Sequence, residues 1–220
     1  YEESDLDFIH RWLEREGIYY YFEQTEDGER MVLGHSSEAY GKLLGDATFR
    51  FKPLPEHKNV EAVDSDAASD DWFAEETVNE LVAETRPLPR RVVLNDYNWR
   101  NPGANLRIEE SVSEDGAGDV YLYNQHYETE SEGRALAKLR AQELFCRRME
   151  FAGRGECRGF RAGYTFTLDE HFRAGFNQEY LLVQVRHHAS QGLSLGSGNQ
   201  GGASYRNEFT AIPASNEFRP

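Results

Sequence analysis

The opening residues carry two successive hydrophobic patterns, the first with helical and the second with extended periodicity. Apolar side chains recur at three- and four-residue spacing along one face of the first segment, at Leu6, Ile9, Trp12 and Leu13, with Phe8 at its edge. Ser4 and Asp7 have the S-x-x-D spacing of a capping box. Gly17 can adopt the left-handed conformation that ends a helix. We therefore predict a helix of about thirteen residues whose apolar stripe packs into a core.

The pattern changes to that of a strand directly after Gly17. Four consecutive aromatic residues, Tyr19 to Phe22, fit a pleated sheet surface. Asp27-Gly28 is a hairpin turn signal, so Met31–Gly34 is the predicted return strand. A strand with aromatic side chains on both faces must be packed against other parts of the protein on both faces. The helix can pack on one face, and the other face needs more protein than this local segment contains.

Short strands and one long helix are predicted for the rest of the chain. Thr129 and Glu132 form a second capping box, and the helix near 131–149 places Ala135, Leu139, Phe145 and Met149 near one face. Extended patterns occupy the segments 47–57, 86–106, 120–128, 164–168, 180–189 and 205–212. Such short strands separated by turns are typical of a small barrel or sandwich. We predict an α+β, mainly β fold.

Composition and charge narrow the possible partners. The chain has 220 residues and a net charge of −15. Nucleic-acid binding requires a cationic face that releases counterions, so this charge argues against nucleic acid as the main partner, and anionic membranes are disfavoured for the same reason. No apolar run approaches the ~18 residues of a membrane span. Residues 61–84 contain no Lys or Arg, which predicts a solvated acidic loop, and the absence of Gly there excludes an EF-hand.

The sequence contains several candidate chemical motifs, and each has a simpler structural explanation. Gly196–Gly201 matches G-x-G-x-x-G, but a strand pattern follows it instead of a helix, so we predict a flexible hairpin loop without a cofactor. Cys146 and Cys157 are too few for a disulfide scaffold; we predict two reduced cysteines, although one bridge between them remains open.

The histidines are the best catalytic candidates. His171 follows Asp169-Glu170, whereas His187 and His188 are neighbours in a predicted strand. Adjacent strand residues point to opposite faces, so His187 and His188 cannot share one metal without distortion. His187 shares a face with Leu181, Val183 and Val185, which predicts a core histidine. We therefore predict no catalytic, cofactor-binding or metal site, and no enzyme activity.

Several stretches together resemble a known family, the VgrG spike proteins of type VI secretion. They are YEESDLDFIHRWLEREGIYYYFE, VVLNDYNWRNPGANL, FAGRGECRGFRAGYTFTL, FNQEYLLVQVRHHA and YRNEFTAIPASNEFRP, in the order of the family and over nearly the whole chain. The resemblance implies Hcp-like, phage-tail-hub-like barrel modules with a small α/β subdomain. Residues 1–60 would end that subdomain and return to the first barrel, and 61–220 would form the second barrel with the long helix. The chain would be a fragment that ends just before an OB-fold.

The same resemblance implies a structural role in a contractile, cell-puncturing spike. The full-length chain would be a homotrimer that caps the hexameric Hcp ring and carries spike-tip or effector proteins, with no nucleic acid and no small-molecule substrate. It would assemble in the bacterial cytoplasm and then be secreted into a target cell. Two other functions remain open from the residues: a metal-dependent hydrolase using the His/Asp/Glu set at 169–188, and a carbohydrate-binding β module using exposed aromatic side chains.

Overall fold

The computed structural model describes residues 2–53, 75–190 and 204–220, and within these ranges strands outnumber helices. In chain order the elements are α1 (Asp5–Arg15), β1 (Tyr19–Thr25), β2 (Gly28–Gly34), β3 (Gly41–Lys42), β4 (Thr48–Phe51), β5 (Thr77–Thr85), β6 (Arg91–Asn95), β7 (Ile108–Ser111), β8 (Asp119–Tyr123), α2 (Glu130–Cys146), β9 (Met149–Gly155), β10 (Tyr164–Asp169), β11 (Glu179–Ser190) and β12 (Ser204–Pro213). The mainly β class predicted from the sequence is confirmed.

The chain divides into two compact units, and each is assembled from separate stretches of sequence. The first unit comprises Tyr1–Ala39, Thr85–Met149 and Asn216–Pro220, and the second comprises Tyr40–Glu84 and Glu150–Ser215. The domain boundary predicted near residue 60 lies outside the described residues, so it stays a prediction.

The second unit contains a six-stranded barrel. Its strands follow the order β11–β12–β9–β5–β4–β10, and β10 closes the ring by pairing with β11. Aromatic rings fill the interior: Phe160 lies 4.6 Å from Phe166 and 5.1 Å from Phe209, and Phe151 lies 4.9 Å from Tyr180, centroid to centroid. All five are buried. The Phe160–Phe209 and Phe151–Tyr180 pairs are edge-to-face, a geometry that stabilises a core beyond the area that it buries.

The alternation predicted for residues 164–168 is confirmed within this barrel. Tyr164, Phe166 and Leu168 are all buried in β10; on the other face Thr167 is exposed, although Thr165 is buried as well. The acidic segment differs from the prediction, because Thr77–Thr85 is the central strand β5 rather than part of a loop. Val78 is fully buried there. The remainder of the predicted acidic loop up to residue 74, and the predicted Gly196–Gly201 loop, lie outside the described residues.

In the first unit, α2 packs on a three-stranded sheet. The sheet order is β7–β6–β8, with β6 antiparallel to β7 and parallel to β8. Apolar side chains from the sheet and the helix form one core, including Val92, Leu94, Ile108 and Leu136. The predicted capping box is present at the start of α2, where Thr129 accepts from the Glu132 amide and the Glu132 carboxylate accepts from the Thr129 amide.

The buried face of α2 is not the one predicted. Ala135 and Phe145 are exposed, whereas Gly133, Ala137 and Ala141 are buried. These three small residues are spaced four apart, so they form one ridge that lets the helix approach the sheet closely. A Cβ atom at Gly133 would lie 2.6 Å from the Tyr127 ring. The spacing of Ala135, Leu139, Phe145 and Met149 therefore predicted the wrong side of the helix as the buried one.

The predicted helix and hairpin at the start of the chain are both present in the first unit. The Ser4 hydroxyl accepts a hydrogen bond from the Asp7 amide at 3.2 Å, and Gly17 has the left-handed φ of 66° after the helix. β1 and β2 pair in register from Tyr19↔Gly34 to Thr25↔Gly28. No helix among the described residues is both long and apolar enough to cross a membrane.

Candidate functional site

The histidines proposed as catalytic candidates lie in unrelated environments. His171 is buried among aromatic rings, with centroids 4.2 Å from Phe51, 4.3 Å from Phe172 and 4.6 Å from Phe176. Its Nδ1 accepts a hydrogen bond from the Arg173 amide at 3.0 Å. Burial lowers the pKa of His171, because the charged imidazolium is poorly solvated among rings. This histidine is therefore a packed, neutral side chain near neutral pH.

His187 is exposed, so the predicted core histidine is wrong. Its Nδ1 lies 2.6 Å from the Tyr205 hydroxyl oxygen. In the described ranges the end of β11 pairs only with β12, and the β12–β9 pairing stops at Asn207↔Gly155. The hairpin end therefore extends beyond the packed part of the barrel, and strand alternation no longer separates a core face from a solvent face.

In the part of the chain that the structure describes, no side chains are grouped into a metal site or a reactive thiol site. No three His, Cys, Asp or Glu side chains converge there with a geometry that could hold an ion. Cys146 and Cys157 are both buried and unbridged, as predicted. Burial raises the pKa of the Cys157 thiol, which keeps it protonated and unreactive.

Large apolar side chains of the first unit are exposed on α1 and on the hairpin β1–β2. We call this region the helix–hairpin surface. Each of its large side chains is between 44% and 58% exposed; they are Leu6, Phe8, Ile9, Trp12, Phe22, Met31 and Leu33. Exposed apolar groups that recur on neighbouring elements, rather than singly, commonly mark an interaction site.

Alternation along β1 explains why the hairpin has one covered and one exposed aromatic face. Tyr19 and Tyr21 are buried, and their hydroxyls donate to the carbonyl oxygens of Ser36 at 2.7 Å and Ala39 at 2.9 Å. Tyr20 and Phe22 point the other way. Tyr20 stacks on His10 of α1 with centroids 5.6 Å apart, and its hydroxyl lies 2.6 Å from the His10 Nε2. Phe22 contacts the edge of Tyr20 and remains half exposed.

The helix α1 therefore covers only part of that second face, and its own apolar stripe is open. No residue of α1 is buried, which corrects the prediction that its stripe packs into a core. Leu13 is the least exposed of the stripe residues and is only partly buried. Helical periodicity correctly located an apolar face, but no described residue buries that face.

Arg219 is a buried arginine that connects three parts of the first unit, and no sequence pattern predicted it. Arg219 donates to the carbonyl oxygens of Gly17 and His35, and its Nε donates to the Gln142 side chain at 2.9 Å. These bonds link the end of α1, the residue after β2 and the middle of α2. The sequence gives no signal for these hydrogen bonds, because Gly17, His35 and Gln142 are all far from Arg219 along the chain.

A second group of exposed aromatic side chains lies on and near the three-stranded sheet. Its members are Tyr97, Trp99, Tyr121 and Tyr123. The Arg100 guanidinium lies 5.0 Å from the Trp99 ring centroid, and the Asn95 amide donates to the Tyr121 hydroxyl at 3.0 Å. Two of the four therefore already contact polar neighbours.

Comparison with protein families identifies one whose model covers most of the chain. The phage tail baseplate hub (GPD) family matches residues 1–193. The type VI secretion system spike protein VgrG1b of Pseudomonas aeruginosa is 29% identical over 223 residues, which cover all of this chain and 28% of that protein. VgrG1a of the same organism is 30% identical over 227 residues, covering all of this chain and 32% of that protein.

Solved structures give the same result at the level of fold. The E. coli c3393 protein superposes on this chain with a TM-score of 0.55 at 16% identity. It is a component of the type VI secretion system and is described as structurally similar to the T4 bacteriophage tail proteins gp27 and gp5. The match covers the whole of this chain and 40% of that one. The predicted resemblance and hub-like fold are confirmed, and the chain spans about a third or less of the length of the relatives it matches.

Proposed function

The chain belongs to the phage tail baseplate hub family, and we propose that it forms the hub part of a cell-puncturing spike in a contractile type VI secretion system. The observation that carries this proposal is likeness to VgrG spike proteins along the entire chain, on a fold shared with phage tail hubs. In this role the chain is a structural component without enzymatic activity. It is assembled in the bacterial cytoplasm and secreted into the target cell.

The proposed partners are other subunits of the spike and the tube beneath it. The full-length protein is a homotrimer, it caps an Hcp hexamer ring, and it carries spike-tip or effector proteins. The helix–hairpin surface supports an assembled state, because without further cover seven large apolar side chains stay about half exposed to water. In the complete spike this surface is covered either by a neighbouring subunit or by a further segment of the spike protein.

Substitution of Ile9 by Asp in the full-length protein tests this role. Ile9 is 48% exposed in this chain, so a carboxylate there costs the isolated chain only the apolar contacts of a half-buried side chain, about 1–2 kcal/mol, unless assembly covers it. Burial of an unpaired carboxylate costs several kcal/mol. A loss of about 1.4 kcal/mol is enough to weaken association tenfold. Val82→Asp, at a residue 54% exposed on the barrel strand β5, is the matched control.

Mass by light scattering and thermal melting separate the possible results. Dissociation by Ile9→Asp alone supports cover by a neighbouring subunit. A melting temperature lowered clearly further than by Val82→Asp, with the trimer retained, supports cover by a further segment of the same chain. An intact trimer with a melting temperature like that of Val82→Asp would contradict the proposal that assembly covers this surface.

A carbohydrate-binding module is the second candidate, and the exposed group Tyr97, Trp99, Tyr121 and Tyr123 is the observation that favours it. Exposed aromatic rings can stack on sugar faces. Saturable binding to a glycan array that is lost in Trp99→Ala would support this candidate, whereas absence of binding would remove it.

A further inference from the structure

The three-stranded sheet of the first unit has two outer edges, and within the described residues neither edge is paired with a further strand. The strand order is β7–β6–β8, so β7 and β8 each have one side that faces away from the sheet. An edge strand presents backbone N–H and C=O groups that can pair with another extended chain. Each edge therefore has the backbone groups needed to add one more strand.

The pairing of β8 with β6 determines which backbone groups of β8 point outward. The strands are parallel, and the Asn124 amide directly after β8 donates to the Asn95 carbonyl oxygen at 3.2 Å. The backbone groups of alternate strand residues point to the same side, so those of Val120 and Leu122 also face β6. The intervening residues of β8 are the ones whose N–H and C=O groups face away from the sheet: Asp119, Tyr121 and Tyr123.

The edge formed by β7 carries features that discourage pairing. β7 has only four residues, and two of them are Glu109 and Glu110. Glu110 lies opposite Val92, a member of the core between the sheet and α2, so a carboxylate occupies the core side of this strand. Short edge strands and inward-pointing charges are two of the devices by which proteins prevent edge-to-edge pairing. The β7 edge is therefore protected against a further strand.

The edge formed by β8 has no comparable protection. Its sequence, DVYLY, contains no Pro and no Lys. Its one charged side chain, Asp119, lies at the start of the strand and is already paired with Arg91 at 2.8 Å. An apolar edge that stays open is a site of aggregation, so a stable protein needs to cover it.

Side chains on both faces of β8 are available to a strand lying beside it. On the core side, Val120 and Leu122 are only partly buried. On the other side, Tyr121 and Tyr123 are 53% and 56% exposed. Aromatic and apolar side chains stabilise a sheet through contacts between neighbouring strands. The β8 edge therefore suits an extended segment that carries apolar residues on both faces.

We propose that the β8 edge is paired with one further strand, supplied by a part of the full-length spike protein outside these 220 residues. This inference rests on the proposed function, because it takes the chain to be the hub part of a longer spike protein. The chain spans about a third or less of the length of the relatives it matches, so a spike protein of that size has ample chain to supply one strand. A segment of the same protein covers the edge permanently, whereas a transient partner leaves it open between encounters.

Hydrogen exchange of single backbone amides, in the full-length protein and in the 220-residue chain, tests this pairing. Amides held by a neighbouring strand exchange only when the structure opens. The Tyr121 and Tyr123 amides are expected to exchange about 100-fold or more slowly in the full-length protein than in the 220-residue chain. The Val120 and Leu122 amides, which face β6, should be slow in both preparations and verify that each is folded.

The outward amide of the β7 edge is the matched control. The Val112 amide directly after β7 donates to the Arg90 carbonyl oxygen at 2.9 Å, so by the same alternation the Ser111 amide points away from β6. Because the β7 edge is protected against pairing, the Ser111 amide is expected to exchange rapidly in both preparations.

Proline substitutions in the full-length protein separate strand pairing from simple burial. Tyr121→Pro removes the outward donor, whereas Tyr121→Ala keeps it. Proline is tolerated on an edge strand where the N–H faces solvent, but not where a ladder bond is needed. Tyr121→Pro should therefore melt about 2 °C or more below Tyr121→Ala, once the difference between Ser111→Pro and Ser111→Ala at the open edge is subtracted.

Four results would overturn the inference. They are rapid exchange of the Tyr121 and Tyr123 amides in the full-length protein; equally slow exchange in the 220-residue chain, whose own residues would then cover the edge; equal protection of the Ser111 amide; and no excess loss from Tyr121→Pro. The spike role is judged separately by mass, so a trimeric full-length protein with rapid exchange at Tyr121 would reject only this pairing.

Discussion

Two substitutions on the two helices of the first unit measure how differently these helices are packed. Leu136 of α2 is 7% exposed and lies in the core between the helix and the three-stranded sheet. Leu136→Ala leaves a cavity there, so the expected loss is about 2–5 kcal/mol in the free energy of unfolding. Ile9 of α1 is 48% exposed and leaves no enclosed cavity.

The expected loss for Ile9→Ala is much smaller. Three carbon atoms at about 0.8 kcal/mol each, half removed from water, amount to about 1 kcal/mol. Alanine returns up to about 0.7 kcal/mol through its higher helix propensity. The net loss is therefore between about 0 and 1 kcal/mol, at least about 1 kcal/mol less than for Leu136→Ala.

Urea unfolding of the 220-residue chain, followed by circular dichroism at a helix-sensitive wavelength, is the assay, since both helices belong to the first unit. Leu44→Ala, at a side chain 99% exposed, sets the baseline and is expected to change stability by less than about 0.5 kcal/mol. Equal losses for Ile9→Ala and Leu136→Ala would refute the reasoning, because the α1 stripe would then be packed inside this chain.

Three further predictions concern single sites. Gly153→Ala should lose about 1–3 kcal/mol, because a Cβ atom there would lie 2.2 Å from the buried Phe209 ring, whereas Gly159→Ala meets open space and should be neutral; both lie in the second unit, so urea unfolding is followed here by near-ultraviolet circular dichroism of the barrel's aromatic rings. Thr129→Ala should lose about 0.5–2 kcal/mol of stability through the α2 capping box, and Thr129→Ser should restore most of it. Burial lowers the pKa of His171, so the unfolded chain binds its proton first; stability should fall as pH decreases below about 6.5, and this fall should be smaller in His171→Gln when melts are compared across pH.

Elements with strong local signals were predictable from the sequence. The Thr129–Glu132 capping box, the stop at Gly17 and the alternation at Tyr164–Leu168 each depend on residues close in sequence, and each is present. The face of α2 was not predictable from large apolar residues, because the sheet contacts a ridge of small ones at Gly133, Ala137 and Ala141.

Features that depend on contacts between residues far apart in the sequence became visible only in the structure. The barrel closes through pairings such as Thr167↔Thr48, and the first unit joins stretches separated by dozens of residues. Periodicity revealed the stripe on α1 but could not reveal that it stays exposed.

The mass of the full-length protein in solution tests the proposed spike role most directly. Closed cyclic symmetry is the usual way in which identical subunits cover a shared surface. Multi-angle light scattering after gel filtration should give three times the mass of one full-length chain, at both low and physiological ionic strength. A stable monomer or dimer of the full-length protein under these conditions would contradict the assignment of this chain to the hub of a trimeric spike.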